Sequence, residues 1–242
     1  MSIDFIPLAS SSKGNCYFVS DGHSNLMLEC GLPIKQIRSG MVDRVPGRLS
    51  SRISGLTACL ITHSHNDHAR AVKDVLKSGI DCYMTAETAA AHDVKSHHAT
   101  KIVEPLKKYP IGSWVALPFP TQHDAAGSVG WLLASPRGKL LFATDTFYIE
   151  HQFKGLNYIA VECNYALDIL NSNVEAGIIS PARKKRLLES HFSLENVKKF
   201  LEATDLSQCK AIHLLHLSAE NSDEFRFKRE VQQLTGIPTY IA

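Results

Sequence analysis

The chain has 242 residues, 44% of them hydrophobic and 21% charged, with a formal net charge of +2. That apolar share can bury the core of a single domain covering 1–242, while so small a charge gives no ground by itself for a nucleic-acid partner and leaves only a local basic patch open. No stretch approaches the ~18 apolar residues of a membrane span, and Met1-Ser2-Ile3-Asp4 carries no basic leader segment, so the expectation is a soluble, cytoplasmic protein with no membrane partner.

The first half alternates short apolar runs with turns. Ile3 to Leu8 predicts a strand, Ser10 to Asn15 a small-residue turn, Cys16 to Val19 a strand, and Asp21-Gly22 a hairpin turn into a strand over Asn25 to Glu29. Thr57 to Thr62 is a continuous apolar run, suited to a strand buried on both faces. Ala69 to Lys77 has helical spacing, with Ala71, Val72, Val75 and Leu76 on one face and Gly79 as its stop. A strand over Asp81 to Met84 and a helix over Ala86 to Lys95 follow.

Strands are predicted at Trp114 to Leu117, Gly130 to Ala134, Leu140 to Ala143 and Ile159 to Glu162. The stretch 166–189 shows no clear period, and its basic end, Arg183-Lys184-Lys185-Arg186, reads as surface. Ser193 opens a helix to about Ala203; a strand over Ala211 to Leu215, a helix over Asp223 to Thr235 and a strand over Pro238 to Ile241 close the chain. A β-rich start, helices between strands and a β-α finish imply an α/β protein of two sheets with helices outside. The six cysteines include no C-x-x-C pair, and several sit in apolar runs, which predicts buried free thiols in a reducing compartment.

The chemistry concentrates in Thr62-His63-Ser64-His65-Asn66-Asp67-His68. Imidazole and carboxylate together suit zinc, manganese or iron. At a strand end, residues two apart point the same way, so His63 and His65 can grip one ion, while Asp67 and His68, at the turn into a helix, can face another. One loop cannot fill two coordination shells. His123, Asp145 and His216 each follow an apolar segment and are candidates for the rest, although taken singly each reads more often as a satisfied histidine or a turn aspartate than as a ligand. Asp145 could bridge two ions, because a carboxylate offers two oxygens.

His63-Ser64-His65-Asn66-Asp67-His68 matches the H-x-H-x-D-H motif, and Ser11-Ser12-Lys13-Gly14-Asn15-Cys16, His123-Asp124, Thr144-Asp145, Ser190-His191-Phe192-Ser193-Leu194-Glu195 and His216-Leu217-Ser218 follow in order. Over nearly its whole length the chain thus resembles the metallo-β-lactamase fold hydrolases, and in particular their YycJ-type branch of DNA exonucleases. The resemblance implies a four-layered αββα sandwich with the site at one edge. It implies His63, His65 and His123 on a first metal, Asp67, His68 and His216 on a second, and Asp145 between them. The chain is also similar to ribonuclease Z, which implies that Glu162 and His191 flank the metals and assist proton transfer. Two departures stand out: Glu29-Cys30-Gly31 occupies the place of an Asp-x-Gly, and Ser190 that of a glycine before the histidine.

The activity so implied is phosphodiester hydrolysis by a nuclease acting on DNA. Two divalent ions, zinc or manganese, would lower the pKa of a shared water and polarise a phosphoryl oxygen, with Asp67 holding the attacking water and His191 donating to the leaving oxygen. RNA and cyclic nucleotides are alternative substrates, the latter for a small-molecule phosphodiesterase. A non-catalytic nucleic-acid-binding domain is the alternative of another class. Arg183 to Arg186, Lys198-Lys199, Arg226, Lys228 and Arg229 are candidates for contacting a phosphate backbone, though a solvated helix face explains each of them better. The oligomeric state is open, with a dimer as one option.

Overall fold

The computed structural model describes residues 2–47 and 51–242; Met1, at the head of the segment read for a leader, lies outside them. Two compact units emerge, residues 1–120 with 125–138, and residues 121–124 with 139–242.

In the first unit, β1 (Asp4–Ser11), β2 (Gly14–Ser20) and β3 (Asn25–Leu28) form an antiparallel meander. The pairing of β1 with β2 runs to Ser11 opposite Gly14, so the expected six-residue turn shrinks to Ser12-Lys13. Every residue of β2 is buried. The chain then turns parallel: β4 (Ala58–Leu60), β5 (Asp81–Met84) and β6 (Thr100–Ile102) complete a six-stranded sheet in the order β1-β2-β3-β4-β5-β6. Connecting helices are α1 (Ile34–Arg44), α2 (Asn66–Ala69), α3 (Val72–Lys77) and α4 (Ala86–Ala91). Their apolar positions, such as Ile37 and Met41 of α1 and Val72, Val75 and Leu76 of α3, share a core with Phe18, Met27, Cys59 and Cys82 of the strands. A second meander, β7 (Tyr109–Ile111), β8 (Trp114–Pro120) and β9 (Val129–Ser135), belongs to the same unit.

Two expectations change here. The helix read over Ala69 to Lys77 is broken at Arg70-Ala71, because the Ala71 amide donates to the Cys30 carbonyl (2.9 Å). The strand read over Thr57 to Thr62 is shorter, Ala58–Leu60, although the Ile61 amide still donates to the Tyr83 carbonyl (2.9 Å) before the chain enters the loop. Helix α1 was not predicted; only Ile37 and Met41 of it are buried, too short an apolar stripe to read.

The second unit is built on parallel strands β10 (Gly138–Ala143), β11 (Tyr158–Glu162), β12 (Ala211–Leu215) and β13 (Thr239–Ile241). The unreadable stretch forms α5 (Leu167–Glu175) and α6 (Pro181–Ser190), the latter capped by Ser180 with Pro181 at its first turn. Helix α7 (Leu194–Glu202) buries Leu194, Val197 and Leu201, and the Ser193 hydroxyl accepts from the Asn196 amide as its cap. Asp223 caps α8 (Glu224–Thr235), which ends on Gly236 at φ 70°, the left-handed stop that glycine adopts without strain. All six cysteines are free thiols and five are buried. Among the described residues, no helix is long and apolar enough to cross a membrane.

Candidate metal centre

Four ligand-type side chains crowd the loop that leaves β4. His63 is fully buried. Its Nδ1 meets the Thr62 hydroxyl (2.9 Å), and its Nε2 lies 3.2 Å from His65 Nδ1. The His68 ring centroid is 4.2 Å from that of His63, and His68 Nε2 is 3.3 Å from Asp67 Oδ2. His63 and His65 therefore approach one another as expected, although from a loop rather than from strand positions. The loop is held from outside by the His92 ring, whose Nε2 meets the Ser64 carbonyl at 2.8 Å.

Two residues outside the expected ligand set hold this loop in place. Glu29 is fully buried and sits at φ 64°, a left-handed conformation uncommon outside glycine. Its Oε1 accepts from the Thr62 amide (3.1 Å), and its Oε2 lies 3.6 Å from His68 Nδ1. The longer arm of glutamate thus reaches the ligand loop from the departed Asp-x-Gly position. Burial pushes its carboxyl above the usual range, against the pull of His68 and Thr62. Asn15, also buried, donates through Nδ2 to the Asp67 carbonyl (3.3 Å) and meets His68 Nε2 (3.1 Å). Its only signal in the sequence was membership of the Ser-Ser-Lys-Gly-Asn piece. Gly31 leaves room for the loop: a Cβ there would stand 1.6 Å from the Asp67 carbonyl oxygen.

In the second unit the parallel strands explain the convergence. Strands β10, β11 and β12 run side by side in one direction, so residues just past their carboxyl ends meet at one edge. Asp145 follows β10, Glu162 ends β11 and His216 follows β12. Asp145 and His216 both take positive φ, 50° and 53°, which turns each side chain at the strand end. His216 Nδ1 lies 3.0 Å from Asp145 Oδ1 and 2.9 Å from Glu162 Oε1. His191, at the end of α6, donates through Nδ1 to Glu162 Oε1 at 2.7 Å. The other oxygen, Oε2, accepts from the amides of Thr146 and Phe192, both at 3.1 Å. His123 Nε2 approaches Asp145 Oδ2 (3.7 Å), and its Nδ1 meets the Ser190 carbonyl (3.1 Å). Asn164 steadies the His216 segment through its carbonyl (2.8 Å); no sequence signal marked it.

The electrostatics of this group follow from burial and pairing. Burial works against the charged form of Glu162, but the His191 charge and hydrogen bonds from both histidines win, and its carboxyl lies below the usual range. For His191 burial works against protonation, yet the Glu162 carboxylate outweighs it and its pKa is raised. Burial lowers His123, with Asp145 only partly offsetting. Ligand atoms of Asp145, Glu162, His191 and His216 all lie within 4.8 Å of one another. A buried group of imidazole nitrogens and carboxylate oxygens is the donor set that a divalent transition metal takes, so the residues present fit such an ion.

Four of the basic residues considered for a phosphate backbone are engaged elsewhere. Arg183 pairs with Glu220 (2.9 Å), Arg186 with Asp124 (2.9 Å), Lys198 with Glu230 (2.9 Å) and Arg226 with Asp168 (2.7 Å).

A family model described as the Metallo-beta-lactamase superfamily matches residues 12–172. Exodeoxyribonuclease WalJ of Streptococcus pneumoniae serotype 2 (strain D39) is 28% identical over 229 residues, covering 89% of this chain and 81% of that protein. Exodeoxyribonuclease YycJ of Bacillus anthracis is 24% identical over 249 aligned positions, covering 97% and 89%. Among solved structures, the metallo-β-lactamase fold protein YhfI from Bacillus subtilis matches with a TM-score of 0.72 at 14% identity, over 100% of this chain and 97% of its own. The fold implied by the sequence motifs is therefore the fold observed. With the family model spanning more than half of its length, the chain belongs to the metallo-β-lactamase superfamily and is a metal-dependent hydrolase.

Proposed function

We propose that the protein is a two-metal phosphodiesterase that degrades DNA. In this reading His63, His65 and His123 hold one ion, Asp67, His68 and His216 hold the other, and Asp145 serves both. The reading joins the ligand loop of the first unit to the strand-end group of the second on the strength of the motif order and the family. When bound, such ions acidify a shared water and neutralise charge on a phosphoryl oxygen.

The residues of the chain supply the rest. Asp67 accepts a hydrogen bond from the attacking water and orients it. Glu162 aims His191, because its Oε1 accepts the Nδ1 proton at 2.7 Å, and its charge favours the protonated imidazole. The remaining N–H of His191 then donates to the phosphoryl or leaving oxygen as negative charge builds there. This Glu162–His191 pair is the observation that carries the reading: a charged donor beside a metal-ligand group suits a substrate that gathers negative charge on oxygen. Support for DNA comes from relatives named as exodeoxyribonucleases.

The test is a substrate panel. Protein loaded with manganese or zinc is offered labelled duplex and single-stranded DNA, a structured RNA, a cyclic nucleotide and bis-p-nitrophenyl phosphate. DNA degradation, abolished by chelation and by Asp67→Ala, is the expected result. Hydrolysis of the small ester or the cyclic nucleotide with every polymer intact overturns the nuclease reading.

A further inference from the structure

We propose that the tip of the β1–β2 hairpin and the end of α2 form a cleft that seats a second, non-reacting phosphate of the DNA strand; the proposal rests on the nuclease reading above. Ser12, Lys13, Gly31, Asn66, Asp67 and Arg70 line a polar cleft of about 380 Å³. Its lining thus places a proposed metal ligand, Asp67, beside two exposed cationic side chains, Lys13 and Arg70.

Three observations lead there. The cations lack carboxylate partners: among the described residues neither Lys13 nor Arg70 makes an ion pair, whereas Arg183, Arg186, Lys198 and Arg226 each do. Asp67 is the one anionic side chain in the lining, and it offsets at most one of the two positive charges. The hairpin tip is also fixed relative to the ligand loop. Asn15 bonds within the hairpin through the Ser11 amide (3.2 Å) and the Ser11 carbonyl (3.0 Å), and the same side chain donates to the Asp67 carbonyl. The Gly31 amide adds a bond to the Asn15 carbonyl (2.9 Å). Lys13 is therefore presented at a set place beside Asp67, which gives the Ser-Ser-Lys-Gly-Asn piece a task that metal binding alone leaves unassigned.

The ligand chemistry follows from the donors. Lys13, Arg70, Ser12 and the Asn66 amide can each turn an N–H or O–H donor toward a compact oxyanion, the usual way in which proteins position a backbone phosphate. A substrate with one phosphodiester, seated at the ligand group, has nothing to place in the cleft. A nucleic-acid strand supplies a further phosphate on the neighbouring nucleotide.

The test reads binding as well as turnover. Metal-loaded protein and the variants Lys13→Gln and Arg70→Gln are titrated with an end-labelled phosphorothioate DNA strand across a salt series. Both side chains are exposed, so neither change disturbs a packed core. Each variant should lower the slope of log affinity against log salt by about 0.7 to 0.9, so that a fourfold rise in salt costs it about threefold less affinity than it costs the unaltered protein. Lys77→Gln, the same charge change on α3, should keep the original slope. A single neutral methylphosphonate is then walked along the strand, and at one position it should erase the difference between variant and unaltered protein. Variants that keep the full slope, or a difference indifferent to methylphosphonate position, overturn the cleft while leaving the nuclease reading intact. Hydrolysis of bis-p-nitrophenyl phosphate with no binding or cutting of DNA overturns the nuclease reading and the cleft together.

Discussion

Replacing Glu162 by glutamine tests the proton-handling pair with little change in shape. The carboxylate accepts four hydrogen bonds: two from backbone amides, Thr146 and Phe192, on Oε2, and two from His191 and His216 on Oε1. Glutamine offers one accepting oxygen and one donating NH2. The backbone amides cannot reverse, so the oxygen must stay with them and the NH2 must face both imidazoles. Two bonds to a charged acceptor are lost, at about 1.5–3 kcal/mol each. That is a large share of the roughly 5–15 kcal/mol that holds a domain folded, yet the packing is unchanged and metal binding adds stability. Loss of a partner that orients a ligand costs about 10–100-fold in metal affinity. Loss of a poised proton donor costs about 10²–10⁴-fold in rate. The His191 pKa, raised in the native pair, should fall once the Glu162 charge no longer offsets burial, so the basic limb of the pH–rate profile should move to lower pH. The assay is kcat/KM on bis-p-nitrophenyl phosphate from pH 5 to 10, with metal affinity read by competition with a chromophoric chelator. A variant within about twofold of the original in rate, with an unmoved basic limb, would refute the role assigned to the pair.

Glu29→Gln should weaken metal binding by about 10–100-fold, because the residue holds Thr62 and faces His68 Nδ1; unchanged affinity in the same chelator competition would make Glu29 a packing residue only. Gly31→Ala should displace the ligand loop, since its Cβ would stand 1.6 Å from the Asp67 carbonyl oxygen. Its melting temperature and its metal content should therefore drop together, and a fully metallated variant would contradict the close approach. His213 on β12 has its pKa pushed down to about 4 by burial, so protonation favours the unfolded chain below its ordinary value of 6.5. Stability is then intact above pH 6.5 and falls toward pH 4, by about 2 kcal/mol between pH 7 and pH 5 from this group. Urea unfolding with chelator present should show His213→Leu losing that much less over the interval; an identical loss would locate the acid sensitivity elsewhere.

What the sequence determined by itself was local. His63 to His68 carries enough ligand chemistry in six residues to announce a metal without any fold. Caps at Ser193 and Asp223, and apolar runs such as Ala211 to Leu215, marked elements that the structure keeps almost to the residue. Other features depended on contacts far apart in the chain. The break between α2 and α3 exists because Ala71 bonds to Cys30, a partner that helical periodicity cannot reveal. Helices α5 and α6 bury few of their residues, so their apolar stripes were too faint to read. Glu29 and Asn15 reach the ligand loop across 33 and 52 positions of chain, respectively. Asp145, Glu162 and His216 meet because three parallel strands end at one edge, and only the pairing register decides that. The ligand loop could be read from composition and spacing; which side chains orient it follows from tertiary contacts that bring distant residues within hydrogen-bond range.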